Sequence, residues 1–230
     1  MSTVLITGAN RGLGLEFSRQ YAQSEWAVIA CCRKPEQAAQ LKQLAAGSSI
    51  QIEALDVADF AQIDALSKKL TGQSLDILIN NAGIYSDQRL TGFGCLDYQA
   101  WDMSFRVNVL APVKMAEAFL GQLKRGDNKL IVSISSLMGS IADNGSGGSL
   151  LYRSSKAALN AAMKSLSIDL SRQGIGVLTL HPGWVKTDMG GANALINSEE
   201  SVSGMRRLIT DYRPDQSGGF YNYRGDRLPW

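Results

Sequence analysis

Six short apolar runs, alternating with helix-length stretches, narrow this chain to one broad architecture. The runs are Val4–Ile6, Ala27–Cys31, Ile50–Ala54, Ile77–Ile79, Leu130–Ile134 and Gly176–Leu180. They are rich in Val, Ile and Leu and lack strict polar alternation, as expected for strands buried on both faces of a parallel sheet. Between them Leu13–Ser24, Pro35–Ala46, Phe60–Leu70, Tyr98–Leu123 and Leu151–Gln173 have the length and apolar spacing of helices. Such alternation predicts βαβ units with right-handed crossovers, hence an α/β, doubly wound parallel sheet with helices on both faces. There is no internal repeat. The Gly/Ser-rich piece Asn144–Ser149 is too short for an interdomain linker, so residues 1–230 read as one domain.

The first run ends in Thr7-Gly8-Ala9-Asn10-Arg11-Gly12-Leu13-Gly14. A helix N-terminus offers unpaired N–H groups and the positive end of a dipole, and glycines let that backbone approach a pyrophosphate closely. The Gly-x-x-x-Gly-x-Gly spacing between strand and helix points to a Rossmann-type dinucleotide site. A ribose-binding acid is expected about 20 residues further on. Here the second run ends Ala30-Cys31-Cys32-Arg33-Lys34, with no acid before Glu36. A guanidinium forks onto phosphate, so Arg33, with Arg11 in reach, predicts the 2′-phosphate of NADP rather than a bare ribose. Arg33 and Lys34 as plain surface charges is the competing reading.

Tyr152-Arg153-Ser154-Ser155-Lys156 opens an apolar helical stretch, and residues four apart share a helix face. A cation beside a phenol favours its anion, which brings tyrosine into acid/base range. A bare Tyr-x-x-x-Lys is also ordinary helix decoration. Upstream, Leu130–Ile134 runs into Ser135-Ser136, and a hydroxyl at the carboxyl end of a parallel strand lies where such sheets bind ligands.

Composition narrows the function classes. A chain of 230 residues, 45% hydrophobic, buries one sizeable core. A net charge of +2 predicts no nucleic acid and no membrane partner. No signal-peptide pattern opens the sequence and no run approaches the roughly 18 apolar residues of a span, so a cytoplasmic address is expected. Cys31, Cys32 and Cys95 form no disulfide framework or metal spacing. The one histidine, His181, excludes a His-rich metal site and is read as structural.

Together these landmarks resemble the short-chain dehydrogenase/reductases along nearly the whole chain. Thr7-Gly8-x-x-x-Gly12-x-Gly14 resembles their cofactor loop, Asp56-Val57 their adenine-binding pair, and Asn80-Asn81-Ala82-Gly83 the motif of their fourth strand. Ser136, Tyr152 and Lys156 resemble the catalytic trio. Asn108 in Arg106-Val107-Asn108-Val109 resembles the active-site asparagine, and Pro182-Gly183 through Val185 to Thr187 the nicotinamide-side loop. More narrowly, His181 to Met189 and the closing Gly218 to Trp230 are similar to the C-factor and sniffer-like carbonyl reductase branch.

The resemblance implies NADPH as cofactor and a small-molecule carbonyl substrate. Gly8, Asn10, Arg11, Gly12, Leu13 and Gly14 would hold the cofactor with Arg33, Asp56, Val57, Asn81, Ala82 and Gly83. Tyr152, Lys156, Pro182, Gly183, Val185 and Thr187 would complete that site. Tyr152 would give the proton, Ser136 hold the carbonyl oxygen, Lys156 bind the ribose and lower the phenol pKa, and Asn108 hold a relay water. Ser136 is preferred to Ser135 because it stands three residues before Gly139, as in the family pattern. The serine-to-tyrosine spacing is longer than in many relatives, through Asn144–Gly148. Trp184 and Met189 read equally as substrate contacts or packing. Gly190-Gly191 would hinge a short lid running to about Ser203. Relatives pair through the helices around Asn108 and Tyr152, so a homodimer or homotetramer through Ala157–Leu170 stands beside a monomer as an expectation. A cofactor-binding signalling protein with little turnover, or an epimerase or dehydratase, are the competing functions.

Overall fold

The computed structural model describes residues 1–87 and 93–230. Seven parallel strands form one sheet in the order β3-β2-β1-β4-β5-β6-β7. They are β1 (Thr3–Thr7), β2 (Ala27–Cys32), β3 (Ile50–Ala54), β4 (Ile77–Asn80), β5 (Leu130–Ile134), β6 (Gly176–His181) and β7 (Gly219–Asn222). The helices are α1 (Gly12–Gln23), α2 (Ala39–Ala45), α3 (Phe60–Lys69), α4 (Tyr98–Phe105), α5 (Ala111–Ala118), α6 (Leu120–Arg125), α7 (Leu150–Asp169) and α8 (Ser198–Thr210). The six apolar runs become β1 to β6. Side chains alternate across each strand. Val4 and Ile6 join Phe17 of α1, Leu41 of α2 and Val202 of α8. Leu5 joins Ile63 of α3, Met115 of α5 and Leu159 of α7. Two cores therefore sandwich the sheet, which is why the runs needed no polar face. Cys31 and Cys32 fall in opposite cores as free thiols, since neighbours on a strand point apart.

Several elements depart from the sequence expectation, among them the helix expected over Pro35–Ala46, which is a 3-10 turn at Pro35–Gln37 followed by α2. The stretch Tyr98–Leu123 is broken helix: α4 and α5 are joined by a π-helical turn over Arg106–Leu110, and α6 follows. Pro112 has no N–H, and its ring crowds the carbonyl four residues earlier, that of Asn108. The wider turn relieves that clash. The lid was expected to reach about Ser203, but α8 begins at Ser198 behind Asn197, whose Oδ1 accepts from the Glu200 N–H at 2.8 Å. Gly204 inside α8 obscures the helical pattern, and the packing explains it: a Cβ there would run into the Tyr223 carbonyl oxygen. β7 is four residues, too short to stand out from a glycine-rich tail.

Within 157–170, Leu159, Met163 and Leu170 are buried in the chain's own core. Ala161, Lys164, Ser165 and Ile168 face outward, so the apolar face expected to pair subunits is mostly turned inward. Among the described residues, no helix is long and apolar enough to cross a membrane.

The edge of the sheet opposite the strand ends that hold the site is stapled by Asp76, 3% exposed. Its Oδ2 accepts from the Thr3 N–H at 2.8 Å, and its Oδ1 from those of Asp127 at 2.7 Å and Asn128 at 3.3 Å. One buried carboxylate thus joins the starts of β1, β4 and β5. Asp76→Ala leaves these donors unpaired and should lower unfolding free energy by about 3 kcal/mol in a urea titration. Asp76→Asn, which keeps an acceptor, should lose less.

Candidate active site

The strand order reverses between β1 and β4, and a crevice opens beyond their carboxyl ends, the place such sheets bind ligands. It forms a cleft of about 990 Å³. Gly8, Asn10, Arg11, Gly12 and Leu13 line it from the first turn, and Asn81, Ala82 and Gly83 from the end of β4. Arg33, Asp56 and Val57 line one end, and Tyr152, Lys156, Pro182 and Thr187 lie along the rest.

The turn is drawn tight by contacts with β4. Gly8 and Gly12 take φ of +67° and +54°, a region that favours glycine. Gly14 sits behind the turn, where a Cβ would run into the Gly8 carbonyl oxygen. The Asn81 Nδ2 donates to the carbonyls of Thr7 at 2.8 Å and Gly8 at 3.2 Å. The Thr7 Oγ accepts from the N–H groups of Asn81 and Ala82, each at 3.0 Å. Thr7 is a positioning group that the sequence reading took only as part of a motif.

Arg11 and Arg33, both expected at the phosphate end, both line the cleft. The Arg11 guanidinium pairs with Asp188 at 2.6 Å, with both side chains exposed, so the pair contributes little stability. Arg33 lines the cleft, and its guanidinium makes no hydrogen bond or ion pair among the described residues. Lys34 lies outside the cleft wall. Asp56 also lines the cleft, its Oδ1 accepting from the Ala58 N–H at 2.9 Å.

Tyr152 and Lys156 share the inner face of α7, with Nζ 5.7 Å from the ring centroid. The Lys156 Nζ donates to the Ile134 carbonyl at 2.9 Å. Burial pulls its pKa down to about 8. Burial also pushes Tyr152 up to about 12, while the Ser136 hydroxyl acts in the opposite direction. A lysine on the same helix face is expected to lower the phenol pKa. Desolvation of the phenol dominates instead, and the phenol holds its proton at neutral pH.

The two serines have different partners. Ser135 lines the cleft, but its hydroxyl donates to the Asn160 Oδ1 at 2.6 Å. Ser136 faces the Tyr152 phenol. Its Oγ also accepts from the Met138 N–H at 3.2 Å, holding the turn Leu137–Gly139. A Cβ on Gly139 would stand 2.8 Å from the Lys156 backbone carbon. That close approach presses the serine turn onto α7 and gives Gly139 its reason.

Asn108 lies one step behind the wall, 1% exposed. Its Oδ1 accepts from the Ile84 N–H, and its Nδ2 donates to the Ile84 carbonyl, both at 2.9 Å. The Nδ2 also donates to the Ser155 Oγ at 3.0 Å. Its amide therefore braces the chain after Gly83. Gly183, at φ +83°, packs against Ile196 and Tyr223, and Val185 is buried in a bridge to Ile196. These two shape the β6–α8 loop from behind. In that loop Met189 lines the cleft, and the Trp184 Nε1 donates to the Gly190 carbonyl at 2.8 Å. His181 is outside the cleft wall, and burial pulls its pKa down to about 4, so it is neutral.

A doubly wound sheet with a glycine turn at the switch point and a buried Ser/Tyr/Lys set beside it defines a dinucleotide-dependent oxidoreductase class. The family model for short chain dehydrogenase matches residues 2–195, and the chain belongs to that family. It is 42% identical over 156 residues to the C-signal of Myxococcus xanthus, covering 68% of this chain and 93% of that protein. The structure of carbonyl reductase Sniffer of D. melanogaster matches with a TM-score of 0.93 and 37% identity, over 100% of both chains. The NADPH-bound carbonyl reductase from chicken fatty liver matches with a TM-score of 0.91 and 37% identity, over 100% of this chain and 99% of that one.

The lysine's burial has a measurable sign. Below about pH 8 both folded and unfolded states hold the Lys156 proton, and the burial penalty is complete. Above that, the folded state releases it first, so this group's contribution to stability rises until the unfolded value of 10.5. Lys156→Met should lack the rise and gain on the order of 3 kcal/mol at pH 7, read by denaturant titration of both proteins across that range.

Proposed function

We propose that this chain is an NADPH-dependent reductase that converts an aldehyde, ketone or quinone to the alcohol, with Tyr152 as general acid. The observation that carries the reading is the buried Tyr152 at the wall of the cleft, with the Ser136 hydroxyl beside its phenol and Lys156 on the same helix face, and at the far end Arg33, which makes no hydrogen bond or ion pair among the described residues. The glycine backbone fits a pyrophosphate, since Gly8 and Gly12 leave no Cβ between the turn and the cleft. The end beyond β2 fits a 2′-phosphate, since it offers Arg33 and no acid before Glu36. The same cofactor is bound in the chicken carbonyl reductase. The whole of 1–230 would act as one cofactor-binding domain.

When bound, the cofactor supplies the hydride. The protein's own groups do the rest. The Ser136 hydroxyl holds the substrate oxygen and stabilises charge developing there. The protonated Tyr152 phenol donates to that oxygen as the carbonyl carbon is reduced. Lys156, partly neutral in its buried site, takes part in proton return. Asn108 supports the relay through the peptide it braces and through its carbonyl, which Pro112 cannot meet as a donor. A signalling protein with little turnover is the second reading, favoured by the C-signal relative. NADPH binding without turnover on a broad carbonyl panel would move the weight there. The inward-turned apolar residues of α7 lend no support to the dimer, so light scattering should decide between homodimer, homotetramer and monomer.

Tyr152→Phe should reduce turnover by about a thousandfold or more while NADPH binding stays within twofold, because the variant loses only its acid. Wild-type turnover in that variant would overturn the assignment. Arg33→Ala should weaken NADPH binding by roughly tenfold to a hundredfold and leave NADH binding unchanged, since it removes one charge-assisted phosphate contact. Equal effects on the two cofactors would overturn the phosphate assignment.

A further inference from the structure

The helix carrying Tyr152 lacks a cap of its own. Ser149 precedes α7 in a left-handed conformation, φ 45° and ψ 45°, and its side chain makes no capping bond. Gly147 and Gly148 before it are also left-handed, at φ +64° and +66°. Glycine adopts that region freely, whereas serine is strained there. A helix start leaves N–H groups without partners, and local sequence supplies none of the usual solutions here.

The partners come from the loop after β4. Asp87, 9% exposed, accepts from the Tyr152 N–H at 2.8 Å through Oδ2 and from the Leu151 N–H at 3.2 Å through Oδ1. Two residues earlier, the Tyr85 and Ser149 hydroxyls share a hydrogen bond of 2.7 Å. The Tyr85 ring stands edge-on to Tyr152, with centroids 4.9 Å apart and planes at 63°. The same loop begins at Asn81–Gly83 in the cleft wall and is gripped by Asn108 at Ile84.

We propose that Asp87 and Tyr85 are positioning residues that cap α7 in trans and fix Tyr152 relative to the cofactor wall. One short span of chain then sets both sides of the reaction: its start lines the cleft, and its end holds the backbone of the proton donor. A carboxylate also suits the positive end of a helix dipole. The hydroxyl bond from Tyr85 offsets the strain at Ser149. A donor moved by about an ångström loses on the order of a hundredfold in rate, so loosening this cap reads out in turnover before binding. The proposal rests on Tyr152 being the proton donor.

The test uses the full chain with saturating NADPH and a carbonyl compound that the wild type reduces. Asp87→Ala should lower kcat by about tenfold or more, with substrate KM and NADPH Kd within about twofold, as expected when only transition-state alignment is lost. Asp87→Asn keeps one acceptor and should fall between that variant and wild type. If the alanine variant does not fold, the asparagine variant is judged by the same criteria. Tyr85→Phe keeps the ring but loses the hydroxyl and should lower kcat severalfold. Adding Ser149→Gly should restore it, because glycine needs no bond to hold that φ. Unchanged kcat in a folded Asp87 variant, or a change in KM or melting temperature alone, overturns the cap's role in catalysis. Loss in Tyr85→Phe that Ser149→Gly does not restore overturns the part given to Ser149. Tyr152→Phe is run alongside: if it is inactive while Asp87→Ala is fully active, the cap fails and the acid assignment stands. If Tyr152→Phe is active, the acid assignment itself has failed.

Discussion

The close contact between the turn after β1 and the end of β4 sets the geometry on which the rest of the site depends. Gly14 packs onto the Gly8 carbonyl with no room for a Cβ, and the Asn81 amide donates to the carbonyls of Thr7 and Gly8. The Thr7 hydroxyl oxygen accepts from the two N–H groups that follow β4. Between these strands the sheet order reverses, so the connections leave in opposite directions and a crevice remains. The contact makes one wall of that crevice a continuous, hydrogen-bonded backbone. A wall of that kind can meet a pyrophosphate with N–H groups instead of side chains.

Opposite that wall, burial governs the chemistry. Low polarity disfavours charge on either sign of group. It pushes the Tyr152 phenol up to about 12 and pulls Lys156 down to about 8. The two shifts are complementary for the proposed reduction: the phenol keeps its proton at neutral pH, and the lysine beneath it releases its own more readily than an exposed one. The same effect keeps His181 neutral. The Ser136 hydroxyl opposes burial at the phenol, and the turn carrying it is held to α7 by the absence of a side chain at Gly139.

The readable parts of the structure were those in which local pattern and tertiary role coincide. β1 to β6 are buried on both faces, so their apolar runs needed no partner to be recognised. Helix α8 carried its signals too, Asn197 before Glu199 and Glu200 and then Val202, Met205 and Ile209 inward, but Gly204 hid the periodicity. The π-helical turn also had a local cause in Pro112, although a proline near a helix start is equally compatible with an unbroken element. Tyr85 and Asp87 carried no signal. Their partners are 64 or 65 residues away, and nothing in Tyr-Ser-Asp distinguishes a trans cap from a polar loop.

Sequence by itself determined the layer architecture, the place of the glycine turn, the shared face of Tyr152 and Lys156, and the lack of an acid between the second strand and Glu36. Each follows from strand and helix periodicity or from residue identity, which act over a few positions. Tertiary structure alone decided that Ser136 rather than Ser135 faces the phenol, because Asn160 takes the other hydroxyl. It decided that Arg11, within the cleft, pairs with Asp188 while Arg33 makes no such pair among the described residues, and that burial raises the phenol. Those outcomes depend on distances between segments far apart in the chain and on how much water each group loses. Both arise only when the two cores close around the sheet.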